Sequence, residues 1–306
     1  MDDAQTALSD ASVAVIGLGA MGMGVASSLC RAGARVMVFD LRPEAVVRAV
    51  AAGAIAAQSP AACAAACTVI ISVVVNAAQT EQVLFGANGA ASKLRTDSVF
   101  VMCSTVAPEF SIALEARVEA LGAAYLDAPI SGGAARAAAG QITMMSAGKP
   151  VAYQRCASVL DQFCAKVYRL GDRAGAGSKV KIINQLLAGV HIAAAAEAMA
   201  LGLREGVAAD ALYEVITHSA GNSWMFENRM AHVLAGDYTP LSAVDIFVKD
   251  LGLVLDTARA SKFPLPLAAT AHQMFMQASS SGHGALDDSA VIKIFPGIKL
   301  PAPGAR

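Results

Sequence analysis

Two sets of residues in this chain have the types and the spacing to do chemistry. Lys181 is followed three and four positions on by Asn184 and Gln185, so that one amine and two amides share a helix face. A lysine can take or return a proton, and side-chain amides can hold hydroxyl or carboxylate oxygens. The second set is Gly17, Gly19 and Gly22, a G-x-G-x-x-G spacing with Leu18, Ala20 and Met21 between the glycines. Gly17 permits a tight turn, Gly19 lets the backbone approach a pyrophosphate, and Gly22 brings helix close to strand. Asp40 ends the next apolar run, where a carboxylate accepts from ribose hydroxyls and repels a 2′-phosphate. It favours NAD over NADP, while nearby Arg42 is able to reach a phosphate and works the other way.

Ser131-Gly132-Gly133 exposes backbone N–H groups suited to a substrate carboxylate, or is an ordinary loop. Ser104-Thr105, shortly before Pro108, is a further candidate or a helix N-cap. Lys249 lies in Val-Asp-Ile-Phe-Val-Lys-Asp-Leu, either buried beside a partner or snorkelling. Lys179 is expected to face solvent. The five histidines show no partner pattern and read as structural or exposed. Trp224 and Phe226 read as core. The six cysteines lack paired C-x-x-C spacing, which points to free thiols in a reducing cytoplasm rather than to a metal or disulfides.

These residues need a scaffold. Apolar β-branched runs at 13–16, 36–39, 68–74 and 98–103, with 124–127, alternate with helical patterns, which predicts a parallel, doubly wound α/β sheet, a Rossmann domain. Runs at 142–145 and 167–170 are expected to extend that sheet. Ligands collect beyond the carboxyl ends of such strands, where Asn76, Ser104-Thr105 and Ser131–Gly133 fall. Past Gly175-Ala176-Gly177 the texture becomes helical: one long pattern from Ser178 to Glu205, then segments at 208–218, 224–234, 242–260, 267–279 and 286–295. We therefore expect a dinucleotide-binding domain over 1–174 and an all-helical domain over 175–306, joined by the long helix. The tail Pro301-Ala302-Pro303-Gly304 is expected to be disordered.

Composition narrows the functions. A net charge of −1 with 15% charged residues leaves no electrostatic footprint for nucleic acid or an anionic membrane. The polar, acidic start MDDAQTALSD does not read as a secretory signal. His191 and Glu197 interrupt the most apolar window, 186–203, so it reads as a buried helix.

Four motifs occur in order: GLGAMGMGVASSL near Gly17, DAPISGGAARAAAGQ from Asp127, GAGSKVKIINQ from Gly175 and VKDLGLVLDTA from Val248. In these the chain resembles the 3-hydroxyacid dehydrogenase family, from Val13 to about Phe295. The resemblance implies an NAD-dependent dehydrogenase with Lys181 as catalytic lysine, Asn184 (with Gln185 beside it) holding substrate, and Ser131, Gly132 and Gly133 as the substrate loop. It places Thr105 and Lys249 at the nicotinamide half of the cofactor. Val74 and Asn76 fall on the cofactor side, in Val73-Val74-Val75-Asn76, where many members carry a proline. Gln185 replaces a second asparagine common in some branches. The segments 218–230 and 236–252 resemble the branch acting on four-carbon sugar acids, implying oxidation of L-threonate to 2-oxo-tetronate. D-Glycerate/tartronate semialdehyde and 3-hydroxyisobutyrate chemistry are the alternatives. Related imine reductases, or a non-catalytic NAD-binding relative, are expected to lack the lysine. The family also implies a homo-dimer or homo-tetramer.

A lysine in water titrates near about 10.4. Burial, the cationic nicotinamide and an inward Lys249 would disfavour its charged form, and a bound carboxylate would oppose them.

Overall fold

The structure, a computed structural model, describes residues 12–302. The N-terminal segment through Ala11, and Pro303 and Gly304 of the expected tail, lie outside the described residues. Two compact units divide the chain, one ending at Lys181 and the other beginning at Ile182.

The first unit is built on six parallel strands. They are β1 (Ser12–Ile16), β2 (Arg35–Phe39), β3 (Ile55–Ala56), β4 (Val69–Ser72), β5 (Val99–Met102) and β6 (Ala124–Asp127), in the order β3-β2-β1-β4-β5-β6. That is the doubly wound dinucleotide-binding order. Helices α1 (Ala20–Arg31), α2 (Pro43–Ala51), α3 (Pro60–Ala66), α4 (Ala77–Phe85) and α5 (Pro108–Glu119) make the crossovers. The strands are apolar throughout because both faces are covered. Val13 and Val15 enter one core with Leu29 and Val101, while Ala14 and Ile16 enter the opposite core with Phe100 and Tyr125. This is the two-residue side-chain period of a strand buried on both sides.

The runs near 142 and 167 do not extend this sheet. They form a separate three-stranded sheet, β7 (Ile130–Ser131), β8 (Ile142–Ser146) and β9 (Cys164–Arg169), with β7 antiparallel to β8 and β8 parallel to β9. The chain reverses through Gly132 at φ 132° and Gly133 at φ 74°, conformations that L side chains rarely adopt. It returns along α6 (Gly133–Ala138), and α7 (Pro150–Leu160) separates β8 from β9. All six cysteines are free. Burial pushes the Cys63, Cys156 and Cys164 thiols up to about 12.

Helix α8 (Ala176–Arg204) leaves the first unit and continues into the second, which is helical: α9 (Ala209–Thr217), α10 (Trp224–Ala235), α11 (Val244–Ala260) and α12 (Pro266–Ala278). The expected last helix is a 3-10 segment, Asp288–Ile294, started by Asp287, whose carboxylate accepts from Ser289 N. Ser223 caps α10 by accepting from Phe226 N at 3.0 Å, and Gly236 closes it in the left-handed region at φ 63°. Ile192, Met199, Phe226, Met230, Leu251 and Phe275 fill the core, with Phe247 stacked on Phe275 at 5.1 Å. Phe226 is core as expected, but Trp224 is not: it is 46% exposed at the first position of α10. By length and mean hydropathy (1.7) α8 is able to cross a membrane. Its Ile192, Ala196 and Met199 are buried among the other helices, while His191 and Glu197 are exposed.

Candidate active site

The glycine loop connects β1 to α1, and its glycines differ in why they are needed. A Cβ on Gly17, at φ 94°, would lie 2.7 Å from the Val73 carbonyl oxygen, and one on Gly22 would lie 1.9 Å from that of Gly17. Those two close the turn and dock the helix. Gly19, the N-cap of α1, has nothing within 4 Å of a Cβ. Its open side and the helix N-terminus suit a pyrophosphate. Ala20 and Met21 start the helix, and Leu18 is buried with its N–H donated to Asp40 Oδ2 at 2.6 Å.

Asp40 directly follows β2 and is held on both oxygens. Oδ1 accepts from Arg42 N at 2.9 Å and Arg42 Nε at 3.1 Å. Partial burial raises its pKa, but the Arg42 and Leu18 hydrogen bonds outweigh that and hold it below the usual carboxylate value. Gly17, Gly19, Asp40, Arg42, Val74 and Asn76 line one cavity of about 870 Å³. That volume, the glycine cradle and the carboxylate at the strand tip fit the adenosine and pyrophosphate part of a dinucleotide.

Asn76 also has a structural duty. Its side-chain oxygen caps α4 by accepting from Gln79 N at 2.8 Å, while Gln79 Oε1 accepts from Val75 N at 2.8 Å. The amide NH2 of Asn76 is therefore the end it can offer a ligand. Ser104 is not a helix cap. Its hydroxyl bonds Thr80 Oγ1 at 3.0 Å in a buried setting, and Ala107 is the N-cap before Pro108. Thr105 follows at the carboxyl edge of β5, half-buried. Ser131, also half-buried, ends β7, and a Cβ on Gly133 would meet nothing within 4 Å.

Lys181 owes its position to residues that sequence reasoning did not single out as a site. Asp127, fully buried at the end of β6, accepts from Gly175 N at 2.8 Å, Ser178 N at 3.0 Å and Ser178 Oγ at 2.7 Å. A carboxylate thus caps the N-terminus of α8 and complements its dipole. Glu115, also buried, accepts from Ala174 N at 3.1 Å. A Cβ on Gly177 would lie 2.5 Å from the Met145 carbonyl oxygen, so the first turn of α8 rests directly on backbone. Lys181, one turn past Ser178, is 7% exposed, whereas Lys179 is exposed. The available signal was an acid ending an apolar strand just before Ala128-Pro129.

In the helical unit Asn184, Gln185, Lys249 and Asp250 form one chain of contacts. Asn184 Nδ2 donates to Gln185 Oε1 at 3.0 Å, and Gln185 Nε2 donates to Asp250 Oδ2 at 2.6 Å. Lys249 Nζ pairs with Asp250 Oδ1 at 2.6 Å. Lys249 thus has a partner but is only half-buried, between the two possibilities read from the sequence. Asp250 was recognised only as the residue after Lys249.

The family described as the NAD binding domain of 6-phosphogluconate dehydrogenase matches residues 12–171. The one described as NAD-binding of NADP-dependent 3-hydroxyisobutyrate dehydrogenase matches 175–295. An L-threonate dehydrogenase of Cupriavidus necator is 66% identical over 95% of this chain and 98% of its own. One from Haemophilus influenzae is 53% identical over 96% and 98%. A crystal structure from Salmonella typhimurium, titled 3-hydroxyisobutyrate dehydrogenase, is 54% identical, covers 94% of this chain and 100% of that one, and superposes with a TM-score of 0.90.

Proposed function

Because the chain belongs to the 3-hydroxyacid dehydrogenase family, we propose that it oxidises L-threonate at the C2 hydroxyl to 2-oxo-tetronate, with NAD as hydride acceptor. The observation that carries this reading is the 66% identity, over nearly the whole chain, to a relative named L-threonate dehydrogenase.

Bound NAD would supply the electrophilic nicotinamide ring that receives the hydride. The rest falls to the chain. Gly19 and the α1 N-terminus hold the pyrophosphate, and Asp40 accepts from the adenosine ribose. Asn76 offers its amide NH2, and Val74 packs beside it. Thr105 orients the nicotinamide half, a role that the family resemblance gives to Lys249 as well. The Ser131–Gly133 amides hold the substrate carboxylate, and Asn184, with Gln185 beside it, binds the substrate hydroxyls. Lys181 Nζ takes the C2 hydroxyl proton as the C2–H bonding pair leaves as hydride, then releases that proton to solvent. In reduction the same ammonium protonates the forming alkoxide.

The Asp40 carboxylate at the tip of β2, which would repel a 2′-phosphate, and its bonds to Arg42 support NAD over NADP. The exposed apolar side chains of Ile183, Leu187 and Leu201 on α8 support a homo-dimer or homo-tetramer. The free thiols support a reducing, cytoplasmic setting, and the relatives named L-threonate dehydrogenase support a role in sugar-acid catabolism.

The test is NADH formation from L-threonate, D-threonate, D-glycerate and 3-hydroxyisobutyrate, with Lys181→Ala in parallel. We expect turnover of L-threonate that the variant loses by at least about 10²-fold, the range of general acid–base catalysis. Preference for 3-hydroxyisobutyrate, for which the Salmonella protein is named, would overturn the substrate. Near-normal turnover by Lys181→Ala would overturn the role of the lysine.

A further inference from the structure

A carboxylate only accepts hydrogen bonds, whereas a side-chain amide both donates and accepts and fits a pocket either way round. Asp250, 1% exposed, removes that freedom from its neighbours. Because Gln185 must donate to Asp250 Oδ2, its NH2 faces the acid and its Oε1 faces Asn184. Asn184 in turn must donate to that Oε1. The carbonyl oxygen of Asn184 is then the end that the relay does not use. Lys249 holds the other oxygen of Asp250. Helices α8 and α11 pack together at Gly189, where the Leu251 side chain takes the space of a Cβ, which would lie 2.9 Å from it.

We infer that Asp250 is a positioning residue: acting through Gln185, it orients Asn184 as a hydrogen-bond acceptor for a second hydroxyl of the substrate. The inference rests on the reading of Asn184 as a substrate residue. Its consequence is selectivity. A site built to bond a hydroxyl discriminates strongly against an analogue that carries an alkyl group there, because its polar group is left unpaired. Asp250 therefore favours polyhydroxy acids such as L-threonate over 3-hydroxyisobutyrate. It does so by setting the direction of an amide chain and without touching either acid.

The test is a double-variant cycle read as the ratio of kcat/KM for L-threonate to that for 3-hydroxyisobutyrate, with KM and kcat followed separately. In Asp250→Asn an amide meets Gln185 in either sense, and the ratio is expected to fall about tenfold, mostly through the KM for L-threonate. Gln185→Glu alone sets two carboxylates against each other and is expected to lose at least as much. Together, Asp250→Asn/Gln185→Glu rebuilds the relay. The amide introduced at position 250 would donate to the carboxylate introduced at position 185, whose second oxygen accepts from Asn184, and the ratio should return to within about threefold of the parent. A merely structural role for Asp250 predicts additive losses, and additivity would overturn the inference. Should Asp250→Asn not fold, Gln185→Met breaks the relay at its middle with similar volume and should lower the ratio alike; an unchanged ratio is the overturning result. Asn184→Ala separates the two levels. If it leaves KM and ratio untouched, the reading of Asn184 fails, whereas a lowered ratio beside an additive cycle removes the relay alone.

Discussion

Replacing Asp127 is the sharpest way to ask whether the cap on α8 sets the position of Lys181. In Asp127→Ala the N–H groups of Gly175 and Ser178, both buried, lose their acceptor, while the Ser178 hydroxyl can turn elsewhere. A buried donor left unsatisfied costs about 1–3 kcal/mol, so two give roughly 2–6 kcal/mol. For a chain of this size each kcal/mol lowers Tm by about 2–4 °C, and the expected fall is roughly 4–24 °C. Asp127→Asn is a different perturbation. Both backbone donors use Oδ2, so one amide oxygen can still serve them, and the new NH2 can donate to the Ser178 hydroxyl. Only the charge assistance is lost, about 1 kcal/mol. Catalysis should follow the same order. A reacting group misplaced by about 1 Å costs on the order of 10²-fold, which is the expected loss in kcat for Asp127→Ala. Asp127→Asn should stay within about fivefold. Thermal melts by circular dichroism and steady-state NADH formation measure both. Equal effects from the two variants would show that charge, not the three-bond cap, is what counts. A normal kcat in Asp127→Ala would refute the link to Lys181.

Asp40→Ala should free the Arg42 guanidinium for a 2′-phosphate and raise the NADP:NAD ratio of kcat/KM by about tenfold or more, one lost charge repulsion and one gained ion pair; an unchanged ratio would sink the account of cofactor choice. Burial pushes the Asp288 carboxyl up to about 6, with Arg229 pulling against it. Between about pH 4 and 6 the folded chain therefore retains a proton that the unfolded chain, titrating near about 3.9, has released. Stability falls as pH rises through that window. Urea melts should show this slope flattened in Asp288→Asn, and the idea fails if the two slopes coincide.

Much of this was legible because the signals were local. The strand–glycine–helix–strand stretch ending at Asp40 carries its own turn chemistry, and continuous apolar runs marked the strands covered on both faces. The second sheet was not legible. β7 has only two residues, and its antiparallel pairing depends on a reversal at Gly132 and Gly133 that looked equally like a ligand loop. Ile142 and Val167 were apolar enough for the main sheet, and nothing in their composition tells which strand they pair with. Ser104 resembled a cap by type and by distance from Pro108, yet a tertiary hydroxyl–hydroxyl bond to Thr80 takes it instead. Asp127 and Asp250 escaped for a related reason. Each acts by accepting from residues distant in sequence, from Ser178 and from Gln185, and a spacing rule sees only neighbours.

The two ends of the six-stranded sheet bear on how copies of this chain can meet. At one end β3 contributes two paired residues, Ile55 and Ala56, before Ser59-Pro60 turns the chain into α3. At the other, the last residue of β6 is bridged on both its N–H and its C=O by Ala147. Neither margin offers a long run of open backbone groups, the template on which strands from different molecules add to one another. Edge-to-edge addition is thereby disfavoured at this sheet, and the longer strand margin is that of β9, six residues at the edge of the second sheet and exposed along much of its length. Around the six-stranded sheet the covering helices are left to decide a partner, through side chains rather than backbone.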